Sequence, residues 1–482
     1  MGWKGRQSMH NDYLPLFLPQ DILLESFTFP FFDINYTVDP VAMAGLFHNS
    51  PDPTPGRGKR GLYVHIPFCE TICAFCPFIK SVGTLERIER YLKALHLELS
   101  MLAETRLCQS WTIDAVYIGG GTPSVLSPHQ IEALLGHIRS VFRLSSDAEV
   151  TIEVEPKSAT EEFCSAASGA GANRVSFGIQ TLNPRYREMM NLTATFDQIH
   201  ALADRSRRMF EAANFDMIVG YPGQTEREVE ADMAAALALD VGNISVFPLD
   251  YLATLPSFLD RVRRGEYPPP PPSARRWELF HHARAELAKG YDAQNMYFFS
   301  EPGMPGCRYM FEIVYGGYYD EFVGVGAGAY SMTRGLAYGN DQFEKAYTET
   351  LLEKHRLPIA MATPAHAYEK HYVYFGKRTR ADLTEARELG IDSVVSAKFD
   401  ALEQAGYVER DLQSYRLTPA GERIYAQIMV GFLSDHQRRL YDRVCERMKD
   451  KLNWNLDGAQ STDTAVARGL AAHNVMPQRK AL

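Results

Sequence analysis

From Gly61 onward the chain alternates short apolar, β-branched runs with longer amphipathic stretches, and this alternation limits the possible folds more than any other feature. Such runs, ending at Gly, Pro or acidic residues, are typical of strands buried on both faces of a parallel sheet. Six of them follow one another, at 62–66, 115–118, 149–154, 174–179, 215–219 and 243–247. Helical spacing predicts helices between them, at 88–102, 128–142, 196–212 and 226–239. The pattern predicts an α/β fold with right-handed crossovers and its chemistry at the carboxyl ends of the strands.

Smaller parts are predicted on either side of this region. In order, the chain divides into an N-terminal extension at 1–56, a main domain at 57–335, a C-terminal domain at 336–451 and a flexible tail at 452–482. A Pro/Gly-rich linker marks the end of the N-terminal extension, and a polar composition indicates that the C-terminal tail is flexible. Within the C-terminal domain, a helix at 396–405 and strands at 407–410 and 415–418 resemble a winged helix, which we interpret as a packing module.

Composition and charge exclude several classes of protein. Of 482 residues, 45% are hydrophobic and 23% charged, which is the balance of a globular enzyme. The formal net charge of −9 disfavours a protein that tracks nucleic-acid phosphates. No apolar run approaches the ~20 residues of a membrane span, and no signal peptide is evident. We therefore expect a cytoplasmic enzyme without nucleic-acid or membrane partners.

Three of the seven cysteines, Cys69, Cys73 and Cys76, fall within eight residues directly after the first predicted strand. Thiolates at this spacing can each bind one iron of a [4Fe–4S] cluster and leave the fourth iron open. Zinc is the alternative, but a closed structural zinc site needs a fourth ligand, and His65 is poorly placed for it. The other four cysteines stand alone and are interpreted as small buried hydrophobes.

The run 63–69, continued through Cys73 and Cys76, resembles the radical S-adenosylmethionine (SAM) superfamily, and more narrowly its HemN-like family. That family is named for oxygen-independent coproporphyrinogen III dehydrogenase. Further matches follow in order at the predicted strand ends: GGGTPS at 119–124, TIEVEP at 151–156, GANRVSFGIQ at 171–180 and NFDMIVGYPGQT at 214–225. The resemblance covers about residues 60–335. It implies a partial (β/α)6 TIM-like radical SAM barrel with a smaller C-terminal helical or winged-helix-like domain.

The resemblance also implies roles for particular residues. Cys69, Cys73 and Cys76 would hold a [4Fe–4S] cluster whose open iron binds SAM. Contacts to this first SAM are carried over to Tyr63, Gly120, Gly121, Thr122 and Glu153. Gln180 matches a SAM-contact position of the family. Phe75 and Asp216 match positions beside a second SAM, whereas Glu155 is interpreted as solvated. The glycine-rich segment at 324–331 resembles one that closes over the site, or is a plain tight turn. No catalytic acid or base is assigned.

Three departures from the family bear on the reaction. Leu192 stands where the founding enzyme has an arginine that touches the second SAM, and leucine offers no donor to a carboxylate. Pro77 and Phe78 replace the Cys-containing exit of coproporphyrinogen dehydrogenases. The heme-binding His-Asn-x-x-Tyr-Trp segment of the heme-chaperone branch is absent, and residues 312–317 stand about where it should be.

These departures, beside the retained Gln180 and Asp216, favour a two-SAM methyltransferase or cyclopropanase of natural products. Its substrate would be a small molecule, and its electron donor flavodoxin or ferredoxin. The alternative is an anaerobic heme-utilisation enzyme that opens a tetrapyrrole, or a coproporphyrinogen dehydrogenase-like oxidoreductase. The stretches Leu-Ser-Pro-His at 126–129 and Leu-Thr-Pro-Ala-Gly at 417–421 also resemble the heme-utilisation enzymes. A third possibility is a non-enzymatic cofactor carrier.

Overall fold

A computed structural model describes residues 56–457 except Pro77, 252–253, Arg334, 365–366 and 412–413. The N-terminal extension, nearly all of the predicted tail and Pro77 therefore lie outside the described residues. The strands are β1 (Arg60–Ile66), β2 (Phe68–Cys69), β3 (Ser81–Val82), β4 (Ile113–Gly120), β5 (Leu144–Val154), β6 (Arg174–Gln180), β7 (Ala212–Val219), β8 (Asn243–Pro248), β9 (Asp292–Ala293), β10 (Phe298–Ser300), β11 (Glu321–Val325), β12 (Tyr330–Thr333), β13 (Leu336–Asn340), β14 (Ile359–Pro364), β15 (Arg380–Asp382), β16 (Val408–Arg410) and β17 (Ser414–Leu417).

The helices fill the intervals between these strands. They are α1 (Leu85–Ala103), α2 (Arg106–Gln109), α3 (Pro128–Val141), α4 (Glu161–Gly169), α5 (Pro184–Met189), α6 (Phe196–Met209), α7 (Glu226–Leu237), α8 (Pro256–Arg263), α9 (Ser273–Leu287), α10 (Glu344–Leu352), α11 (Ala367–Val373), α12 (Phe375–Arg378), α13 (Thr384–Glu388), α14 (Asp392–Gln404), α15 (Pro419–Arg423), α16 (Tyr425–Gly431) and α17 (Asp435–Asp457). A short 3-10 helix covers Pro123–Val125, and a π-helix covers Tyr309–Val314.

The six predicted strands are confirmed as neighbours in one sheet, in the order β1-β4-β5-β6-β7-β8, with every pair parallel. The α/β fold class is therefore confirmed. One helix boundary was wrong: the helix predicted to reach residue 212 ends at Met209, and Phe210 is already extended. Ala212 begins β7. The helical spacing of apolar residues continues by chance into the next strand, which hides this boundary in the sequence.

The sheet is wider than the six predicted strands. β11 pairs in parallel with β1, and β12, β13 and β14 follow as antiparallel neighbours. On the opposite edge, β10 and β9 are also antiparallel, which gives a mixed sheet of twelve strands with two ends. The same sheet thus continues past position 335, where the sequence predicts the start of another domain.

Capping residues at the strand exits start the helices that cover the sheet. Ser127, Thr195 and Thr225 each form a capping box at the first turns of α3, α6 and α7, satisfying backbone N–H groups that a helix leaves unpaired. The apolar faces of these three helices pack against the strands, and the strand side chains that point toward the helices are almost fully buried. The helices therefore hold the strands in place from one face of the sheet. The residues of the site lie at the strand ends, on the other face.

The C-terminal region is mainly helical. α14 is followed by β16 and β17, as the sequence predicts, and β15 adds a third strand in the order β15-β17-β16. α17 ends at Asp457, inside the stretch that the sequence assigns to the tail. Among the described residues, no helix has the length and apolar character needed to cross a membrane.

Candidate functional site

The cysteine loop leaves the sheet directly after β1. Cys69 ends β2, which pairs in parallel with β3, and this pairing fixes the start of the loop. Farther along, the amide of Ala74 donates to the carbonyl of Met190 at 3.0 Å, and the carbonyl of Ala74 accepts from Leu255 at 2.7 Å. The three cysteine side chains are partly accessible, whereas the other four cysteines of the chain are buried, as predicted.

The thiols of the cysteine loop lie close enough to affect one another. Burial, followed by repulsion from Cys76 and Cys69, raises the pKa of Cys73 to about 12. Burial also raises the pKa of Cys69 and of Cys76, although Thr122 and Lys80 respectively oppose the shift. A neutral cavity would keep these groups as thiols, while bound iron stabilises thiolates. Three adjacent soft donors of this kind fit an iron–sulfur cluster.

His65 is not available as a fourth ligand. Its Nε2 lies 3.0 Å from the carbonyl of Ile79 and its Nδ1 lies 3.0 Å from the hydroxyl of Tyr63. Because a carbonyl only accepts, Nε2 carries the proton and the Tyr63 hydroxyl donates to Nδ1. Burial lowers the pKa of His65 to about 4, so the imidazole is neutral. The histidine therefore fixes the orientation of Tyr63.

Gly120 ends β4 and Gly121 follows it, and both pack against the residues that lead into the cysteine loop. Gly120 has a φ of +115°, and a Cβ there would meet the His65 ring at 2.5 Å. A Cβ on Gly121 would meet the carbonyl of Phe68 at 2.7 Å. The amide of Thr122 donates to that same carbonyl at 2.7 Å. The groups that approach these glycines closely belong to the protein itself, and the SAM contacts implied for Gly120 and Gly121 stay predictions.

Glu153, near the end of β5, forms the centre of the polar part of the site. Its Oε1 accepts from the Tyr117 hydroxyl at 2.6 Å, and its Oε2 accepts from the amide of Gly120 at 3.1 Å. Burial raises the pKa of Glu153 to about 7, the Tyr117 hydrogen bond opposes this, and the carboxylate of Asp216 adds to it. A carboxylate in this position can accept from hydroxyl or ammonium groups of a ligand.

Gln180 and Asp216 lie on the next two strands. Gly178 pairs with Asp216, but the register slips by one residue before Gln180, which has a φ of +62°. This bulge re-aims the Gln180 side chain, since a β-bulge bends the strand locally. Asp216 accepts from Asn214 Nδ2 at 3.0 Å, and burial raises the pKa of its carboxyl. The side chains of Gln180 and Asp216 are both half-buried.

Aromatic rings line the inner side of the sheet beside these polar groups. Tyr63 and Tyr117 stack at 6.2 Å between ring centroids, and Tyr309 of the π-helix lies 5.3 Å from Tyr117. On β8 and β10, Phe247 and Phe298 form an edge-to-face pair at 6.1 Å. Except for Tyr309, these rings keep part of their surface accessible. The inner side of the sheet therefore offers flat apolar walls.

Phe75 and Leu192 lie together in an apolar cluster beside the cysteine loop, which includes Tyr186, Tyr221 and Ile218. Leu192 packs against buried side chains and offers no polar group there. The two nearby arginines do not replace the missing one. Arg187 donates to the carbonyls of residues 179, 181 and 194, and Arg185 pairs with Glu228 at 3.9 Å.

The glycine-rich segment at 324–331 contains the end of β11, a turn and the start of β12. A Cβ on Gly326 would meet the carbonyl of His65 at 2.5 Å, so the segment packs against the strand that leads into the cysteine loop. Glu98 of α1 accepts from the amide of Gly326 at 2.8 Å and from the Asn340 amide group at 2.6 Å. The Tyr347 hydroxyl donates to it at 2.6 Å. This buried carboxyl holds the turn in place.

Sequence reasoning predicted the residues of four strand ends and the loop, and the structure brings them to one side of the sheet. It missed Tyr117, although alternation along β4 places Tyr117 on the same face as Gly119, which was a usable signal. It also missed Arg174, which is 3% exposed beneath Asp216. Glu155, which the sequence analysis interprets as solvated, is instead half-buried. The charges of Lys157 and Glu70 act on its carboxyl group.

Comparisons with known proteins agree with this arrangement. The profile of the radical SAM superfamily matches residues 63–236. The chain is 32% identical to the heme chaperone HemW of Lactococcus lactis over 280 residues, which are 58% of this chain and 71% of that protein. The chain belongs to the radical SAM superfamily. Within it, the chain is a member of the HemN/HemW-like family, which confirms the resemblance found in the sequence.

Two further relatives extend the comparison. Anaerobilin synthase of Escherichia coli O157:H7 is 34% identical over 241 residues, 49% of this chain and 54% of that protein. The structure of coproporphyrinogen III oxidase (HemN) from Escherichia coli superposes with a TM-score of 0.69 and 23% identity, covering 83% of this chain and 94% of that one. This similarity shows a shared fold. Membership of the superfamily implies a [4Fe–4S] cluster and SAM as cofactors.

Proposed function

We propose that this chain is a radical SAM enzyme that acts on a tetrapyrrole, the alternative that its sequence suggested. The observation that carries the proposal is the 34% identity with a protein named anaerobilin synthase over 241 residues, about half of the chain. Other relatives are named for heme and for coproporphyrinogen III. The flat aromatic walls of the inner sheet face suit a conjugated ring substrate, since stacked rings favour planar ligands.

In this proposal, Cys69, Cys73 and Cys76 hold the [4Fe–4S] cluster. When bound there, the cluster and SAM would supply 5′-deoxyadenosyl radical chemistry, which belongs to these cofactors. The protein orients SAM and excludes water. Glu153 accepts hydrogen bonds from SAM while the Gly120 amide and the Tyr117 hydroxyl fix its carboxyl group. Tyr63, held by His65, forms one wall beside it.

A second SAM would lie between Gln180 and Asp216. At this place Leu192 and Phe75 supply apolar surface, and the guanidinium of Arg187 is engaged with three backbone carbonyls. A carboxylate of a second SAM would therefore lack an arginine partner at position 192, and Asp216 could meet only an ammonium or a hydroxyl group. Methyl transfer and cyclopropanation of natural products stay predictions that the relatives do not favour.

The test measures turnover in the anaerobically reconstituted protein with SAM whose methyl group is deuterated. We expect heme or coproporphyrinogen III to accelerate formation of 5′-deoxyadenosine and to be consumed, as followed by mass spectrometry. A tetrapyrrole that gains labelled carbon indicates a ring-opening methyl transfer, and one that loses carbon dioxide indicates the oxidase-type reaction. If neither tetrapyrrole is consumed and an unsaturated natural-product scaffold gains labelled carbon, the proposal is wrong and the natural-product prediction is right.

A carrier of heme is the competing function, because one relative is named a heme chaperone. The residues at 312–317 lack the heme-binding segment of that branch, which favours an enzyme. Heme binding without any formation of 5′-deoxyadenosine would identify a carrier.

A further inference from the structure

Lys80 lies half-buried between the cysteine loop and strand β3. The backbone is anchored on both sides of it. His65 Nε2 donates to the carbonyl of Ile79 at 3.0 Å, and the amide of Ser81 donates to the carbonyl of Pro67 at 2.8 Å. Because β3 then pairs with β2, the side chain of Lys80 starts from a fixed point beside the loop.

The ammonium group of Lys80 turns back onto the last cysteine of the loop. Its Nζ donates to the carbonyl of Cys76 at 2.6 Å and to the carbonyl of Phe78 at 3.1 Å. It also forms a hydrogen bond with the thiol of Cys76. A lysine has three N–H donors and no acceptor, so these three partners use all of its donors. The ammonium is therefore held against the sulfur atom.

The charge of this ammonium acts on all three thiols of the loop. Burial raises the pKa of Cys76, and the charge of Lys80 is the strongest influence in the opposite direction. Burial also raises the pKa of Cys69 and of Cys73, and the same charge opposes both shifts. Lys80 is therefore placed to stabilise negative charge anywhere on the group of three sulfur atoms.

Two other cations near the loop are engaged elsewhere. Lys157 interacts with Cys73 but pairs with Glu70 at 2.7 Å. Arg187 also interacts with Cys73, while its guanidinium donates to three backbone carbonyls. Among the described residues, no carboxylate forms an ion pair with Lys80. The positive charge of Lys80 thus acts on the thiols without a carboxylate in contact with it.

We propose that Lys80 is a positioning residue that acts through Cys76 to raise the reduction potential of the cluster. A cluster that accepts one electron gains one negative charge, and nearby positive charge and hydrogen bonds to its sulfur ligands favour that state. Lys80 supplies both at Cys76, whereas Thr122, which donates to the thiol of Cys69, is uncharged. The inference rests on the cluster of the proposed function and is independent of the tetrapyrrole.

The test is a redox titration of the anaerobically reconstituted full-length protein without SAM, followed by electron paramagnetic resonance of the reduced cluster. We expect Lys80→Gln to lower the equilibrium constant of one-electron reduction about tenfold, which corresponds to about 59 mV. Lys80→Arg keeps the positive charge and should titrate close to the unchanged protein. Lys93→Gln is the matched control, because it removes the same charge from an exposed position of α1 and should leave the potential unchanged.

A purely structural role of Lys80 gives a different result. If the lysine only ties the carbonyls of Cys76 and Phe78 together, Lys80→Gln loses iron, but the clusters that remain titrate at the unchanged potential. That result overturns the proposal, and so does an equal fall in potential in Lys80→Arg and Lys80→Gln. If Lys80→Gln does not fold, as judged by circular dichroism, Lys80→Met replaces it in the titration.

The failure of this proposal can be told apart from the failure of the proposed function. A folded Lys80→Gln variant that takes up no iron, beside an unchanged protein that does, overturns the proposal alone and assigns Lys80 to assembly of the cluster. Absence of iron from the unchanged protein contradicts the cluster itself and overturns both. An unreactive tetrapyrrole leaves the expected potentials as they are, because the titration contains no substrate.

Discussion

Gln180 folds its side chain over Gly178, so that a Cβ at position 178 would overlap Gln180 Nε2. The two residues flank the bulge of β6, where the register slips and Gln180 takes a positive φ. A side chain at position 178 would therefore have to displace the end of the Gln180 side chain. The absence of a Cβ at Gly178 gives the Gln180 amide the space that it occupies.

Replacing Gly178 with Ala should lower the free energy of unfolding by ~1–3 kcal/mol, the usual cost of overpacking a buried site. The control is Gly136→Ala in α3, where a Cβ meets nothing within 4 Å. That change should raise the free energy by roughly 0.5–1 kcal/mol, because alanine favours the helix. In chemical denaturation, the double variant Gly178→Ala with Gln180→Ala should be as stable as Gln180→Ala alone. Additive losses would contradict the overlap.

Changing Cys69, Cys73 and Cys76 together to Ala should abolish iron binding and SAM cleavage, because these three thiols are the expected ligands. The unchanged protein should carry about four iron and four sulfide per chain after anaerobic reconstitution. Cys164→Ala removes a buried thiol of α4 and should retain the cluster. Iron and sulfide analysis with absorption spectra provides the measurement. Stoichiometric zinc, or a cluster in the triple variant, would refute the assignment.

Glu153→Ala should weaken SAM binding while the cluster still assembles. A buried charge-assisted hydrogen bond is worth ~1.5–3 kcal/mol, so the affinity should fall roughly 10- to 150-fold. Glu132→Ala is the control, since Glu132 is an exposed residue of α3. Equilibrium binding of SAM to the reconstituted variants measures the effect. An equal loss in both variants would show that Glu153 has no particular role.

The buried carboxyl of Glu98 should make stability depend on pH. Burial raises its pKa from 4.5 to about 7, while hydrogen bonds from Tyr347, Gly326 and Asn340 oppose the shift. Between these values the folded protein holds a proton that the unfolded chain has released, so this contribution is lost as the pH rises from 4.5 through 7. Glu98→Gln removes the titration. The free energy of unfolding of the unchanged protein should fall relative to the variant between pH 5 and pH 8, measured by denaturant titration.

The six central strands could be predicted because burial on both faces demands continuous apolar runs, and these are visible in the sequence. Strands β9 to β14 were not predicted. They are short, and their places in the sheet depend on pairing with strands far away in the chain, such as β11 with β1. Distant pairing also explains the wrong helix boundary at Met209. The helical spacing of apolar residues continues into β7, although the backbone is already extended there.

The residues of the site also fall into those that the sequence predicted and those that it did not. The cysteine spacing and the strand-end motifs identified the family and its cofactors, because each is a local pattern along the chain. Tyr117 was missed, since its role depends on the 2.6 Å hydrogen bond to Glu153 on the neighbouring strand. Arg187 is close in sequence to the position of the missing arginine, but only the structure shows that its guanidinium donates to three backbone carbonyls.

The sequence by itself determined the parallel strands, the close grouping of three thiols and the superfamily, because hydrophobic period and cysteine spacing are properties of neighbouring residues. The tertiary structure alone decided that Gln180 faces Gly178, that Glu98 holds the glycine-rich turn and that Val82 adjoins Cys69. Each of these relationships joins residues through register, bulge geometry or burial. Those quantities are set by the packing of the whole chain, and no local pattern of residues encodes them.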